Sequence, residues 1–136
     1  MLALLQNSAG YRILGLLHII SVVVAFGPAF LYTPLKRAGE TQVIAKMHMR
    51  MTFPSLVLMW VFGMGLAGVG KLSMGAAWLS ASMLIWLVML VISWMMIRPA
   101  ITDESESATS KLAAGVGITH LGLVLGLILM IWKPGA

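Results

Sequence analysis

Apolar residues fall into four long runs separated by short polar stretches. The runs cover residues 13–32, 53–69, 76–97 and 112–132. Each has close to the roughly 20 residues that a helix needs to cross a hydrocarbon core of about 30 Å. The pattern predicts an all-α membrane protein, a four-transmembrane-helix bundle in which residues 1–136 form a single up-down-up-down domain.

Two proline-containing pairs and one charged segment interrupt this pattern. Gly27-Pro28 is expected to kink or end the first helix. Arg98-Pro99 predicts a stop at the end of the third. Residues 33–50 mix six charged or histidine side chains with apolar ones, which predicts an amphipathic segment lying at the membrane interface.

Composition supports a membrane protein and excludes several other functions. The chain is 60% hydrophobic and only 10% charged, far from the average soluble domain. Its net charge of +5 comes from nine Lys and Arg at span ends and in connections, where topology explains them, so no nucleic-acid partner is expected. The absence of cysteine removes disulfides, iron–sulfur clusters and thiolate metal sites.

The distribution of Lys and Arg predicts the orientation. Three cations lie on the side of both termini and six on the other side: Arg12, Lys71 and Lys133 against Lys36, Arg37, Lys46, Arg50, Arg98 and Lys111. Because cytoplasmic loops carry the excess of positive charge, both termini are expected outside the cytoplasm. The expected location is a bacterial-type inner membrane.

Two histidines within the spans are the candidate cofactor ligands. His18 lies in the first run and His120 in the fourth, and imidazole is a common axial ligand of haem. Gly15 precedes His18 by three residues and Gly117 precedes His120 by three, so each histidine has a position without a side chain on its own helix face. This pattern favours a flat macrocycle such as haem b. The alternative is that each histidine hydrogen-bonds a neighbouring helix and the glycines serve ordinary packing.

Depth in the membrane bears on whether the two histidines share one iron. By helix rise, His18 lies about 10 Å from one face and His120 about 12 Å from the other. In a core of about 30 Å this leaves an offset of about 8 Å. One histidine per cofactor and an axial methionine therefore remain alternatives to a shared site.

A third histidine, at the edge of the second run, has methionine neighbours. Met47, Met49 and Met51 flank His48, a combination of thioether and imidazole ligands that suits Cu(I). The alternative is that these methionines are ordinary flexible apolar residues.

Several short motifs resemble those of a known membrane family. They are the first-span histidine His18, Gly27-Pro28, Leu31-Tyr32-Thr33-Pro34-Leu35, Lys46 to Pro54, Trp60 with Gly63, and Trp132-Lys133-Pro134. Together they resemble the small four-helix HemJ-type proteins and the related CopD-like membrane families. The resemblance implies a four-helix bundle that binds haem b and, in HemJ itself, oxidises protoporphyrinogen.

Only the histidine of the first span carries over from that family, onto His18. The third span of HemJ-like proteins begins with a lysine and holds a histidine, and residues 78–97 contain neither. The oxidase activity is therefore not transferred, and whether the chain is an enzyme stays open. The expected function is that of a haem-b-binding redox or haem-handling protein in the lipid bilayer. The alternative is a haem-free accessory subunit of a larger respiratory or photosynthetic complex.

Overall fold

Four long helices make up the protein in a computed structural model that describes residues 8–135. They are α1 (Ala9–Arg37), α2 (Thr41–Val69), α3 (Ala77–Thr102) and α4 (Ala108–Trp132). All four are long and apolar enough to cross a membrane, and no strand occurs within residues 8–135. The prediction of an all-α, four-transmembrane-helix bundle is confirmed, and the chain is an integral membrane protein.

The first two helices are longer than their apolar runs. Each has 29 residues and so measures about 43 Å, more than a hydrocarbon core of about 30 Å. Residues 33–50, which the sequence predicts to be an interfacial amphipathic segment, form the end of α1, a turn at residues 38–40 and the beginning of α2. Arg37, Glu40 and Lys46 are exposed near the helix ends, where long side chains reach the headgroup region.

Prolines widen two of the helices instead of ending them. In α2 the segment His48–Thr52 is a π-helical turn, and in α3 so is Ser93–Ile97. Pro54 and Pro99 each follow two residues after such a turn. Because proline has no N–H and its ring clashes with the carbonyl four residues before it, the turn opens to i→i+5 hydrogen bonds. The predicted stop at Pro99 is therefore wrong, and α3 continues to Thr102.

In α1 the glycine–proline pair has a smaller effect. The helix is regular over Ala9–Phe26, tightens into a 3₁₀ turn at Pro28–Leu31 and continues as an α-helix over Tyr32–Arg37. Gly27-Pro28 thus changes the winding of α1 without ending it. All three irregular turns lie 6 to 12 residues from the connection at their end of the bundle, and so at similar depth.

The bundle is closed at the end where α1 joins α2 and α3 joins α4. The largest cluster of buried apolar side chains lies there and comprises Ala29, Tyr32, Ile44, Ile97, Ala100, Ile101, Leu112 and Val116. Lys36 Nζ donates to the carbonyls of Ile101 and Asp103 at 2.8 and 2.9 Å, which ties the end of α1 to the end of α3. In the loop beyond α3, hydrogen bonds from the backbone N–H and hydroxyl of Ser105 hold the pKa of the Asp103 carboxyl below its usual range.

Candidate functional site

The opposite half of the bundle contains a cavity of about 260 Å³. It lies between the closely packed pair α1 and α2 and the equally close pair α3 and α4. Its walls are almost entirely apolar, with five methionines, three tryptophans and three glycines: Met59, Met64, Met83, Met89, Met130, Trp60, Trp78, Trp86, Gly63, Gly122 and Gly126. Tyr11, His18, Ser82 and Lys133 supply its polar side chains. The cavity is the candidate functional site.

His18 lines this cavity from α1, and its ring is fixed by the neighbouring helix. Nδ1 lies 2.8 Å from the carbonyl oxygen of Met59 on α2. A carbonyl only accepts, so Nδ1 carries the proton and Nε2 keeps its lone pair. Nε2 makes no hydrogen bond to residues 8–135. An imidazole whose second nitrogen is anchored on a backbone carbonyl is the usual arrangement of a protein metal ligand.

The glycine that makes room for this imidazole is Gly63 on α2. A Cβ atom at Gly63 would lie 3.1 Å from Cε1 and 3.3 Å from Nδ1 of His18, closer than ordinary van der Waals contact. The ring therefore lies over a position without a side chain, one helical turn beyond Met59 along α2. Neither of the two glycines selected from the sequence has this role. A Cβ atom at Gly15 would face Leu66 at 3.9 Å, and one at Gly117 would meet nothing within 4 Å.

Aromatic side chains form the cavity wall on α2 and α3. The rings of Trp60 and Trp86 stack with centroids 5.6 Å apart and an interplanar angle of 25°. Trp86 Nε1 donates to the carbonyl of Leu56 at 2.8 Å, so the indole has its polar atom satisfied by α2. A flat, apolar wall of fixed orientation results, which suits an aromatic or macrocyclic ligand.

His120 is not part of the cavity. Its Nε2 donates to the carbonyl of Phe26 on α1 at 3.1 Å, and its ring stacks on Phe30 with centroids 4.0 Å apart. Phe26 lies eight residues beyond His18, which is about 12 Å of helix rise. The structure therefore does not bring His18 and His120 to one site, and the partners of His120 are those of a histidine that joins two helices.

Of the three histidines, His48 has the surroundings that were least predictable from the sequence. It is fully buried, with Nδ1 3.1 Å from the hydroxyl of Tyr32 on α1. Its Nε2 lies 3.0 Å from the carbonyl and 3.2 Å from Oγ of Ser93 on α3, and Tyr32 also donates to Thr52 Oγ1 at 2.6 Å. We refer to Tyr32, His48, Thr52 and Ser93 as the His48 network. It links three helices at the depth of the π-helical turns.

Two of the three methionines beside His48 lie on the outside of the bundle, and the third, Met47, packs against the buried apolar cluster at the closed end. Met49 and Met51 are 40% and 44% exposed on the outside of the bundle, while His48 is fully buried. No group of three or more His, Asp or Glu side chains that could hold a metal ion occurs within residues 8–135. The arrangement therefore lends no support to the Cu(I) hypothesis.

No family model, curated protein or solved structure matches this chain. The resemblance to HemJ-type and CopD-like proteins accordingly remains a hypothesis, and the function must be argued from the cavity and its residues.

Proposed function

We propose that the protein binds haem b within the membrane and that His18 is its axial ligand. The observation that carries the proposal is the position of His18, whose Nδ1 is held by the Met59 carbonyl while Nε2 is left without a partner in an apolar cavity. A nitrogen with a free lone pair can accept a hydrogen bond from a ligand or bind a metal. Haem bound there would supply one-electron redox chemistry.

The cavity can hold a macrocycle once the side chains of its walls move apart. Its volume of about 260 Å³ lies just below the range of about 300 to 1,000 Å³ of small-molecule sites. The helix pairs that face one another across it have few contacts along this half of the bundle. Five methionines line it, and their flexible side chains adapt to the shape of a ligand. A macrocycle would be enclosed on part of its surface and exposed at the open side.

Methionine is also the candidate for a second axial ligand. A His–Met pair is one of the established ways to hold haem iron, and a single histidine is another. Met64 and Met83 line the cavity from α2 and α3, while His120 is engaged elsewhere with Phe26 and Phe30. The geometry thus favours one histidine with or without a methionine over a pair of histidines.

The remaining aspects of the proposal concern location and partners. The excess of Lys and Arg in the two connections at the closed end supports both termini lying outside the cytoplasm of a bacterial-type inner membrane. The outer surface is apolar and in contact with lipid. A haem-free accessory subunit of a larger membrane complex is the second candidate, supported by His48 and His120, both of which serve only contacts between helices.

The first experiment is an absorption spectrum of the purified protein. Cells supplied with ample haem precursor should give protein in mild detergent with a Soret band, a b-type spectrum after dithionite, and about one haem per chain. Folded protein without haem, which also fails to bind added haem, would contradict the proposal. In that case the accessory subunit becomes the better hypothesis, and its partners should co-purify.

Adding a methyl group at Gly63 should weaken haem binding without unfolding the protein. In Gly63→Ala the new Cβ presses on the imidazole of His18 and shifts it from the Met59 carbonyl. Loss of such an orienting contact typically costs about 10- to 100-fold in metal affinity. The measurement is a haem titration followed by the Soret band.

Gly126→Ala is the matched control, because Gly126 lines the same cavity and a Cβ there meets nothing within 4 Å. Equal losses in Gly63→Ala and Gly126→Ala would show that cavity volume, rather than the position of His18, limits binding.

A further inference from the structure

One end of the cavity is bordered by Lys133, the only Lys or Arg among the described residues that line it. Lys133 follows directly after α4, and its Nζ lies 5.4 Å from the ring centroid of Trp78, which lines the same cavity. Tyr11 borders this end as well, next to the connection between α2 and α3, since a Cβ at Gly70 would lie 3.0 Å from its ring. His18 lies seven residues deeper than Tyr11, or about 10 Å by helix rise.

No carboxylate side chain of the protein is available to Lys133. The four acidic residues of the whole sequence are Glu40, Asp103, Glu104 and Glu106. All four lie in the connections at the closed end of the bundle, on the opposite side of the membrane-spanning helices. Among residues 8–135, the exposed Lys133 borders the apolar cavity and contacts the ring of Trp78 without forming an ion pair, so its ammonium group is available to an anion.

Lys71, which follows the C-terminus of α2, provides a comparison with Lys133. Lys71 and Lys133 both follow a helix C-terminus, and both have left-handed backbones, with φ of 50° and 46°. They are the only non-glycine residues with positive φ within residues 8–135. A cation at a helix C-terminus is favourable for either lysine. Of these two lysines, only Lys133 also lines the cavity. Stabilisation of a helix C-terminus therefore does not by itself explain the position of Lys133.

We infer that the cavity takes an apolar ligand that carries a carboxylate, and that Lys133 binds this carboxylate at the mouth. The inference rests on the proposed function and adds to it: Lys133 would hold a propionate group of haem b and His18 would hold its iron. The apolar walls exclude water from the macrocycle, and the ammonium group neutralises the charge where the ligand meets the interface. The ligand enters from the end that carries the chain termini.

The test compares two forms of one macrocycle. Iron protoporphyrin IX and its dimethyl ester have the same ring and iron, but the ester lacks both carboxylates. Each is titrated into the native protein, Lys133→Gln and Lys71→Gln in neutral detergent, with the Soret band as the readout. A charge-assisted hydrogen bond corresponds to about 10- to 100-fold in affinity.

The native protein should bind the diacid at least about 10-fold more tightly than the ester. Lys133→Gln should lose this preference, bind the ester as the native protein does, and keep the native Soret position at saturation. Lys71→Gln should behave as the native protein. An unchanged preference in Lys133→Gln, or an equal loss in Lys71→Gln, would overturn the inference while haem binding stands. If the native protein binds neither form, the proposed function fails together with the inference.

Discussion

Protein with His18→Ala is expected to bind haem more than about 100-fold more weakly than the native protein. Losing only a contact that orients a metal ligand costs about 10- to 100-fold in affinity, so losing the ligand itself should cost more. The imidazole is the one nitrogen donor in the cavity wall with a free lone pair. Alanine leaves the iron with thioether ligands at best, and these bind it more weakly than imidazole does. The Soret band should weaken or shift, and the haem content after purification should fall to near zero.

His120→Ala is the matched control for this experiment. It removes the same side chain from another span and breaks one hydrogen bond to Phe26 and the stacking on Phe30, but it leaves the cavity wall intact. Its spectrum should stay native. Added imidazole should restore the native spectrum in His18→Ala by entering the space that the side chain vacates. A native spectrum in His18→Ala would assign the iron to another ligand and reject His18 as the axial residue.

His48→Ala is expected to destabilise the protein by about 2 to 4 kcal/mol. The change removes three contacts between helices, to Tyr32 and to the carbonyl and hydroxyl of Ser93. Hydrogen bonds between membrane helices average about 0.6 kcal/mol each, so these account for about 2 kcal/mol. The empty space left by a fully buried imidazole lowers the free energy of unfolding by a similar amount. Unfolding by dodecyl sulfate in mixed micelles, followed by circular dichroism, measures the loss.

The same substitution at His120 gives a scale for this effect. His120 is only partly buried and makes one such hydrogen bond, so about 1 kcal/mol is expected from that bond and its ring stacking. Tyr32→Phe combined with His48→Ala should cost less than the sum of the single changes, because the two side chains share one contact. Equal costs at His48 and His120 would mean that the His48 network adds no stability of its own.

The number and order of the helices could be predicted from the sequence, but their ends could not. Length and apolar composition locate the spans, since a segment within lipid must satisfy its own backbone and so must be helical. The charged residues of the stretch 33–50 concealed the ends of α1 and α2. A hydropathy pattern marks where lipid begins, and a helix continues beyond that point wherever its polar residues reach the headgroups.

The prediction of a helix end at Pro99 was wrong for a related physical reason. Pro99 was expected to end its helix, as it does in many soluble proteins. In α3 the widened turn at Ser93–Ile97 accommodates Pro99: the backbone N–H of Arg98 donates to the carbonyl of Ser93, which also accepts from His48 on α2. Whether a proline ends a helix or widens it depends on these tertiary contacts, and the sequence alone does not contain them.

Sequence reasoning selected His18 but associated it with the wrong glycine. Gly15 is near in sequence, whereas Gly63, which lies beneath the ring, is 45 positions away on another helix. Spacing within one helix reveals neighbours on that helix only. The His48 network was missed for the same reason. The sequence feature that could have indicated this network is a proline six residues after His48 and another six residues after Ser93.

The two π-helical turns have a consequence for the faces of α2 and α3. Each such turn contains one residue more than an α-helical turn, and one residue corresponds to about 100° of rotation about the axis. Side chains before His48 are therefore out of phase with those after Thr52, and a single helical wheel misassigns the segment Thr41–Met47 of α2. Deleting one residue inside either turn would restore regular winding and rotate the short closed-end segment away from its neighbours. The position of every buried side chain in that segment depends on this one additional residue.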